Sequence, residues 1–148
     1  MRRTAVSGMP PKSIAIVTSD ISERAIEIIR HNAEISPIPE GSITPKIRDF
    51  FSYKPEDIPE NALILLNPPY GKRLDADAPA LFARIGNFLQ KTLFDQASKK
   101  NIHVAIMVPK KLCRERFLEA CPTMNPQKNF SVIEKSTSHG GINLSLFF

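Results

Sequence analysis

Apolar residues along this chain gather in short runs that alternate with amphipathic stretches, the pattern of strands alternating with helices. Ser-Ile-Ala-Ile-Val-Thr-Ser-Asp, residues 13 to 20, is a β-branched run closed by polar residues, and it predicts a buried strand. A helix should follow at once. Ser22 suits its N-cap, Glu23 its first turn, and Ala25, Ile26, Ile29 and Ala33 fall on one face. Pro37 and Pro39 stop it. Residues 45 to 51, Pro-Lys-Ile-Arg-Asp-Phe-Phe, predict a second strand ending in an acid and two aromatics. A third strand is expected over Ala62–Leu66, whose continuous apolar run implies cover on both faces.

Pro79 suits the first turn of a long helix with Leu81, Phe82, Ile85, Phe88, Leu89, Thr92 and Leu93 along its stripe. Residues 102 to 108 predict a fourth strand, and a basic helix around Lys110–Ala120 is closed by Pro122. The tail predicts two strands, Asn129–Lys135 and Ile142–Phe148, joined by a glycine-containing hairpin turn. Together these describe an α/β fold, a mostly parallel sheet with an antiparallel edge.

Composition narrows the class. At 148 residues, 42% hydrophobic and 24% charged, the chain fits one globular domain and excludes a disordered tail or coiled coil. No apolar run approaches a membrane span and no signal-peptide core follows Met1, so a cytoplasmic protein is expected. Cys113 and Cys121 are too few for a disulfide framework and should pack. His31, His103 and His139 lack metal-ligand spacing, so no metal is expected. Charge is uneven: residues 1–97 hold 12 basic and 12 acidic side chains, residues 98–148 hold 8 and 3, so the net +5 lies entirely in the last third. Such a one-sided field attracts phosphate backbones, and Lys110, Lys111 and Arg114 are candidates for contacting them.

The chemistry-bearing stretch is Asn67-Pro68-Pro69-Tyr70-Gly71-Lys72-Arg73-Leu74, directly after the third strand. In open α/β sheets, ligands bind beyond the carboxyl ends of strands. Two prolines stiffen the backbone, keep Asn67 out of helical geometry and remove two N–H donors. Two acceptors remain, the Asn67 side-chain oxygen and the Pro68 carbonyl, a pair suited to the two hydrogens of an exocyclic amine. Tyr70 can stack on a planar base, and Lys72 and Arg73 can reach substrate phosphates.

Asn67-Pro68-Pro69-Tyr70 resembles the catalytic motif of class I S-adenosylmethionine-dependent amino-methyltransferases. The extended form through Leu74 is most similar to the branch often joined to a THUMP domain, which methylates guanine N2 or adenine N6 in ribosomal or transfer RNA. The resemblance implies a Rossmann-like three-layer sandwich and a cofactor, S-adenosylmethionine. It implies that Asp20 accepts bonds from the cofactor ribose, that Ile21 packs on its adenine, and that Asp49 with Phe50 faces the adenine amino group. Asn67 would border the cofactor as well as the amine, and Ser138-His139-Gly140-Gly141-Ile142 matches the family's terminal hairpin.

The same resemblance marks a departure. The family's first strand and Gly-rich turn have no counterpart ahead of residue 14, where Gly8 is the only glycine. In the family that strand lies between those carrying Asp20 and Asn67, and the Gly-rich turn supports cofactor binding. The expectation is therefore a partial methyltransferase domain over residues 1–148, with RNA as partner, and either self-association or a partner supplying the missing central strand. Adenine-N6 methylation of DNA, methylation of a protein glutamine, or a non-catalytic truncated relative that binds RNA or a partner are the alternatives.

Overall fold

The computed structural model describes residues 15–69, 77–96 and 100–148. Tyr70, Lys72 and Arg73, and the start of the first expected strand, lie outside the described residues. The chain divides into two compact units, residues 1–52 and 53–148.

In the first unit, β1 (Ile16–Asp20) pairs in parallel with β2 (Ile43–Ile47), Ile16 opposite Ile43 and Asp20 opposite Ile47. Between them runs α1 (Glu23–Glu34), capped by Ser22, whose hydroxyl accepts the Ala25 N–H at 3.3 Å. Its expected inner face is the observed one: Ile26 is fully buried, with Ala25, Ile29 and Ala33 half-buried. The second strand begins and ends earlier than expected. Pro45 lies within β2, tolerated because among the described residues β2 pairs on one side only. Beyond Ile47, the Asp49 carboxylate accepts the Phe51 N–H at 2.9 Å, and the Asp49 carbonyl accepts the Ser52 N–H at 3.0 Å. These local bonds curl Phe50–Ser52 into a 3-10 turn instead of a strand.

The second unit is a four-stranded sheet in the order β3-β4-β6-β5. Here β3 is Leu63–Leu66, β4 is His103–Pro109, β5 is Glu134–His139 and β6 is Ile142–Phe147. β3 and β4 are parallel, with Leu66 level with Ile106; β6 runs antiparallel to both β4 and β5. Half of the described pairings are thus antiparallel, more than the mostly parallel sheet expected.

The hairpin also differs from expectation. Asn129 organises a turn, its carboxamide oxygen accepting the Ser131 N–H at 3.1 Å, so β5 starts only at Glu134. The strand then continues through Ser136, Thr137, Ser138 and His139, and the turn is Gly140-Gly141 alone, with φ of 57° and 79°. Positive φ at both positions is what a two-residue turn matched to strand twist requires.

Helix α2 (Ala78–Phe88) passes without a break into a π-helical turn, Leu89–Asp95. The apolar stripe survives the change: Phe82, Ile85, Leu89 and Leu93 are buried. α3 (Leu112–Ala120) packs on α2 at Gly86, where a Cβ would stand 2.8 Å from the Phe117 carbonyl oxygen. Phe117 meets Phe147 of β6 at 5.7 Å between ring centres, which places α3 on one face of the sheet. That face carries Val104, Ile106, Val108, Ser145 and Phe147, all buried. On the opposite face Leu144 of β6 is buried, but the residues of β3 are not. Leu63 is 63% exposed and Leu65 70%, so cover on both faces of the third strand, expected from its apolar run, is not what the structure has. An uninterrupted apolar run marks a strand that can be covered twice, and only the tertiary structure shows that one face here is not.

Candidate functional site

The candidate residues divide between the two units. In the first, Asp20 is the last residue of β1 and Asp49 follows the end of β2, so both carboxylates stand at the carboxyl ends of adjacent parallel strands. The chain is held there by the Arg48 N–H, which donates to the Asp20 carbonyl at 2.9 Å. Asp20 Oδ1 accepts the Ser22 N–H at 2.8 Å, and Asp49 Oδ1 accepts the Phe51 N–H. Each bond fixes the direction of its carboxylate through the chain's own turn. The Arg48 guanidinium is turned toward Ser52, donating to its hydroxyl and carbonyl at 3.1 and 3.0 Å. Ile21, beside Asp20, is 74% exposed. Phe50 is half-buried against Phe51, with ring centres 5.2 Å apart in an edge arrangement. Two oriented acceptors beside an uncovered isoleucine suit a ligand that offers hydroxyl or amino donors on a flat apolar body.

In the second unit, Asn67, Pro68 and Pro69 leave the carboxyl end of β3, Asn67 and Pro69 exposed and Pro68 half-buried. Parallel pairing with β4 fixes where β3 ends. The double proline then carries the chain on from β3 with no N–H to donate.

The basic candidates do different things. Arg114 donates from Nε and Nη2 to the two carboxylate oxygens of Glu134, at 2.7 and 2.6 Å, and lies 5.8 Å from the Phe147 ring centre. Its fork is committed to a protein carboxylate, so its role here is to tie α3 to β5 rather than to present a cation. The Arg114 guanidinium holds the Glu134 carboxyl below its ordinary range, helped by the Ser145 hydroxyl, which donates to Glu134 Oε1 at 2.7 Å. Lys110 donates to the Ser136 hydroxyl at 2.9 Å, and Lys111, at φ 65°, forms the turn into α3. Lys128 and Lys135 are exposed, Lys135 with its ammonium 5.6 Å from the Phe148 ring centre. Sequence reading passed over both, although the charge count of the last third includes them. The buried Ser145, the polar partner that completes the Arg114–Glu134 pair, left no signal in the sequence pattern.

Both cysteines pack, as expected. Cys121 is fully buried, its thiol pushed up to about 12 by burial, and burial also raises Cys113. No described helix is long and apolar enough to cross a membrane.

No family model and no curated protein sequence matches the chain. Solved structures do. SMU.472, a proposed methyltransferase solved in complex with SAH, is 22% identical with a TM-score of 0.63, matching 89% of this chain and 30% of its own. A possible methylase from Clostridium difficile 630 is 24% identical with a TM-score of 0.66, matching 93% of this chain and 32% of its own. The likeness is one of fold: the chain has the mixed α/β fold found in these methyltransferase structures. It spans about a third of the length of each.

Proposed function

We propose that the chain belongs to an S-adenosylmethionine-dependent methyltransferase that modifies an exocyclic amino group of an RNA base, guanine N2 or adenine N6 in ribosomal or transfer RNA. The observation that carries this reading is the Asn67-Pro68-Pro69 exit from the carboxyl end of β3, within a fold shared with a protein solved with SAH. The donor set fits the adenosine part of the cofactor. Asp20 and Asp49 supply oriented acceptors for ribose hydroxyls and the adenine amine, and Ile21 and Phe50 supply apolar surface for the ring. The cofactor, when bound, supplies a methyl group on a positively charged sulfur. Asn67 Oδ1 and the Pro68 carbonyl accept the two amine hydrogens, which turns the nitrogen lone pair outward for in-line attack. The amine's surplus proton would pass to solvent. Tyr70 would hold the base, and Lys72, Arg73, Lys128 and Lys135 would meet phosphates. The basic last third favours a nucleic acid over a protein glutamine as substrate.

Methyl transfer from tritiated S-adenosylmethionine to unmodified ribosomal and transfer RNA tests the reaction. Asn67→Ala should abolish turnover while cofactor affinity changes less than about twofold; Asp20→Ala should weaken cofactor binding by about 10-fold or more, the loss of one charge-assisted pair. Turnover that survives Asn67→Ala would show the amine to be held elsewhere. A second reading, a non-catalytic RNA-binding relative, is favoured by one observation: none of the described glycines lies at the strand ends carrying Asp20, Asp49 or Asn67, where backbone could closely approach a cofactor. Calorimetry with S-adenosylmethionine separates the two.

A further inference from the structure

The turn that follows β2 is closed by Ser52. Its hydroxyl donates to the Asp49 carbonyl at 2.7 Å and accepts from Arg48 Nε at 3.1 Å. The Ser52 backbone joins the same two residues. Its N–H donates to the Asp49 carbonyl at 3.0 Å, and its carbonyl accepts from Arg48 Nη2 at 3.0 Å. Arg48 is tied in addition to the other turn that carries a carboxylate, its own N–H donating to the Asp20 carbonyl at 2.9 Å. Arg48 thus links the end of β1 to the Asp49 turn, through its backbone on one side and its side chain on the other.

We infer that Ser52, held by Arg48, is a positioning residue for Asp49: it fixes the direction of the Asp49 carboxylate and so sets the preference for a ligand that offers an amino group there. This role rests on the S-adenosylmethionine reading, in which the adenine amine is what the carboxylate meets. Asp49 Oδ1 accepts the Phe51 N–H at 2.9 Å, a bond that depends on the 3-10 curl of Phe50–Ser52. A carboxylate is rigid, so holding one oxygen also restricts where the other points. Ser52 maintains the curl from its far end, because two of its donors converge on the Asp49 carbonyl. The Arg48 fork then holds Ser52 at its hydroxyl and its carbonyl together, which the single ammonium of a lysine does less well.

The side-chain bonds of this turn are all exposed, so water can replace each of them and the fold loses little with any one. Water does not replace their direction. A carboxylate free to swing must be ordered when a ligand arrives, and that ordering weakens binding. Alanine at position 52 removes the two hydroxyl bonds and keeps the two backbone ones; threonine keeps all four.

Calorimetry of the chain with SAH, and with the analogue that carries hydrogen in place of the adenine amine, tests the role. The chain should prefer SAH by about tenfold, the effect of one bond from an amine to a carboxylate. Ser52→Ala should reduce that preference to below about threefold with an unchanged circular dichroism spectrum, and Ser52→Thr should restore it. Equal weakening of both compounds by Ser52→Ala overturns the inference, as does an unaltered preference in that variant or no preference in the unsubstituted chain. Amide exchange on the ligand-free protein keeps the two readings apart. There Ser52→Ala should speed exchange at Phe51 by about fivefold or more and leave Ile26 of α1 unchanged. If the unsubstituted chain binds neither compound, the cofactor reading fails and exchange at Phe51 decides the positioning role alone. An unchanged rate at Phe51 overturns it.

Discussion

Glu134 shows how a single side chain here serves two neighbours. Arg114 donates to both its oxygens and the buried Ser145 hydroxyl to one of them, so α3, β5 and β6 meet at one carboxylate. Because these partners hold the folded carboxyl below its ordinary value of 4.5, the group stabilises the fold above that pH. Its contribution is lost as pH falls through the lower folded value. Glu134→Gln should flatten the acid limb of a pH–stability curve measured by urea unfolding. Glu134→Ala should cost about 1–3 kcal/mol at neutral pH, because the Ser145 hydroxyl loses its acceptor in a fully buried position. The sequence offered Arg114 as part of a basic cluster. It could not show that Glu134, twenty positions on, would take up its charge, because that pairing depends on the register of β5 against β6 and on where α3 lies.

Among the elements, α2 and α3 are bound most tightly by geometry. Gly86 is the point of closest approach, with the Phe117 carbonyl 2.8 Å and the Ala120 Cβ 3.0 Å from where a Cβ would lie. Gly86→Ala should raise intrinsic helix propensity yet destabilise the protein by about 1–3 kcal/mol, since backbone must move to admit the methyl group. A thermal melt of that variant checks the sign. The helical period of the sequence placed Phe82, Ile85, Leu89 and Leu93 on one stripe, and all four are buried. What the period could not reveal is the π-helical turn over Leu89–Asp95. There Gln90 donates to Asp95 at 2.8 Å and accepts the Thr123 N–H at 3.1 Å, so a contact distant in sequence accompanies the wider turn. The end of the second strand was missed for a local reason, the Asp49 turn, which competes with strand pairing over only a few residues.

At the scale of the whole molecule, cover is unequal. Ile26 is the one fully buried apolar residue described in the 1–52 unit; the remainder of the core lies in the 53–148 unit. Opening free energies should differ accordingly. Amide exchange at Val17 and Thr18 of β1 should be at least about tenfold faster than at Val104, Ile106 and Val108 of β4, measured residue by residue on the native protein. The order of strands and helices, the positions of Asp20 and Asn67 at strand ends, and the inner faces of α1 and α2 were all determined by the sequence, because periodicity, caps and prolines act within a few residues. Which faces are covered was decided only by tertiary structure. The apolar run of β3 is equally compatible with one covered face or two, and the fate of Lys110 and Arg114 depends on partners brought near by the sheet. Burial and ion pairing arise from segments far apart in the chain, and no local pattern encodes them.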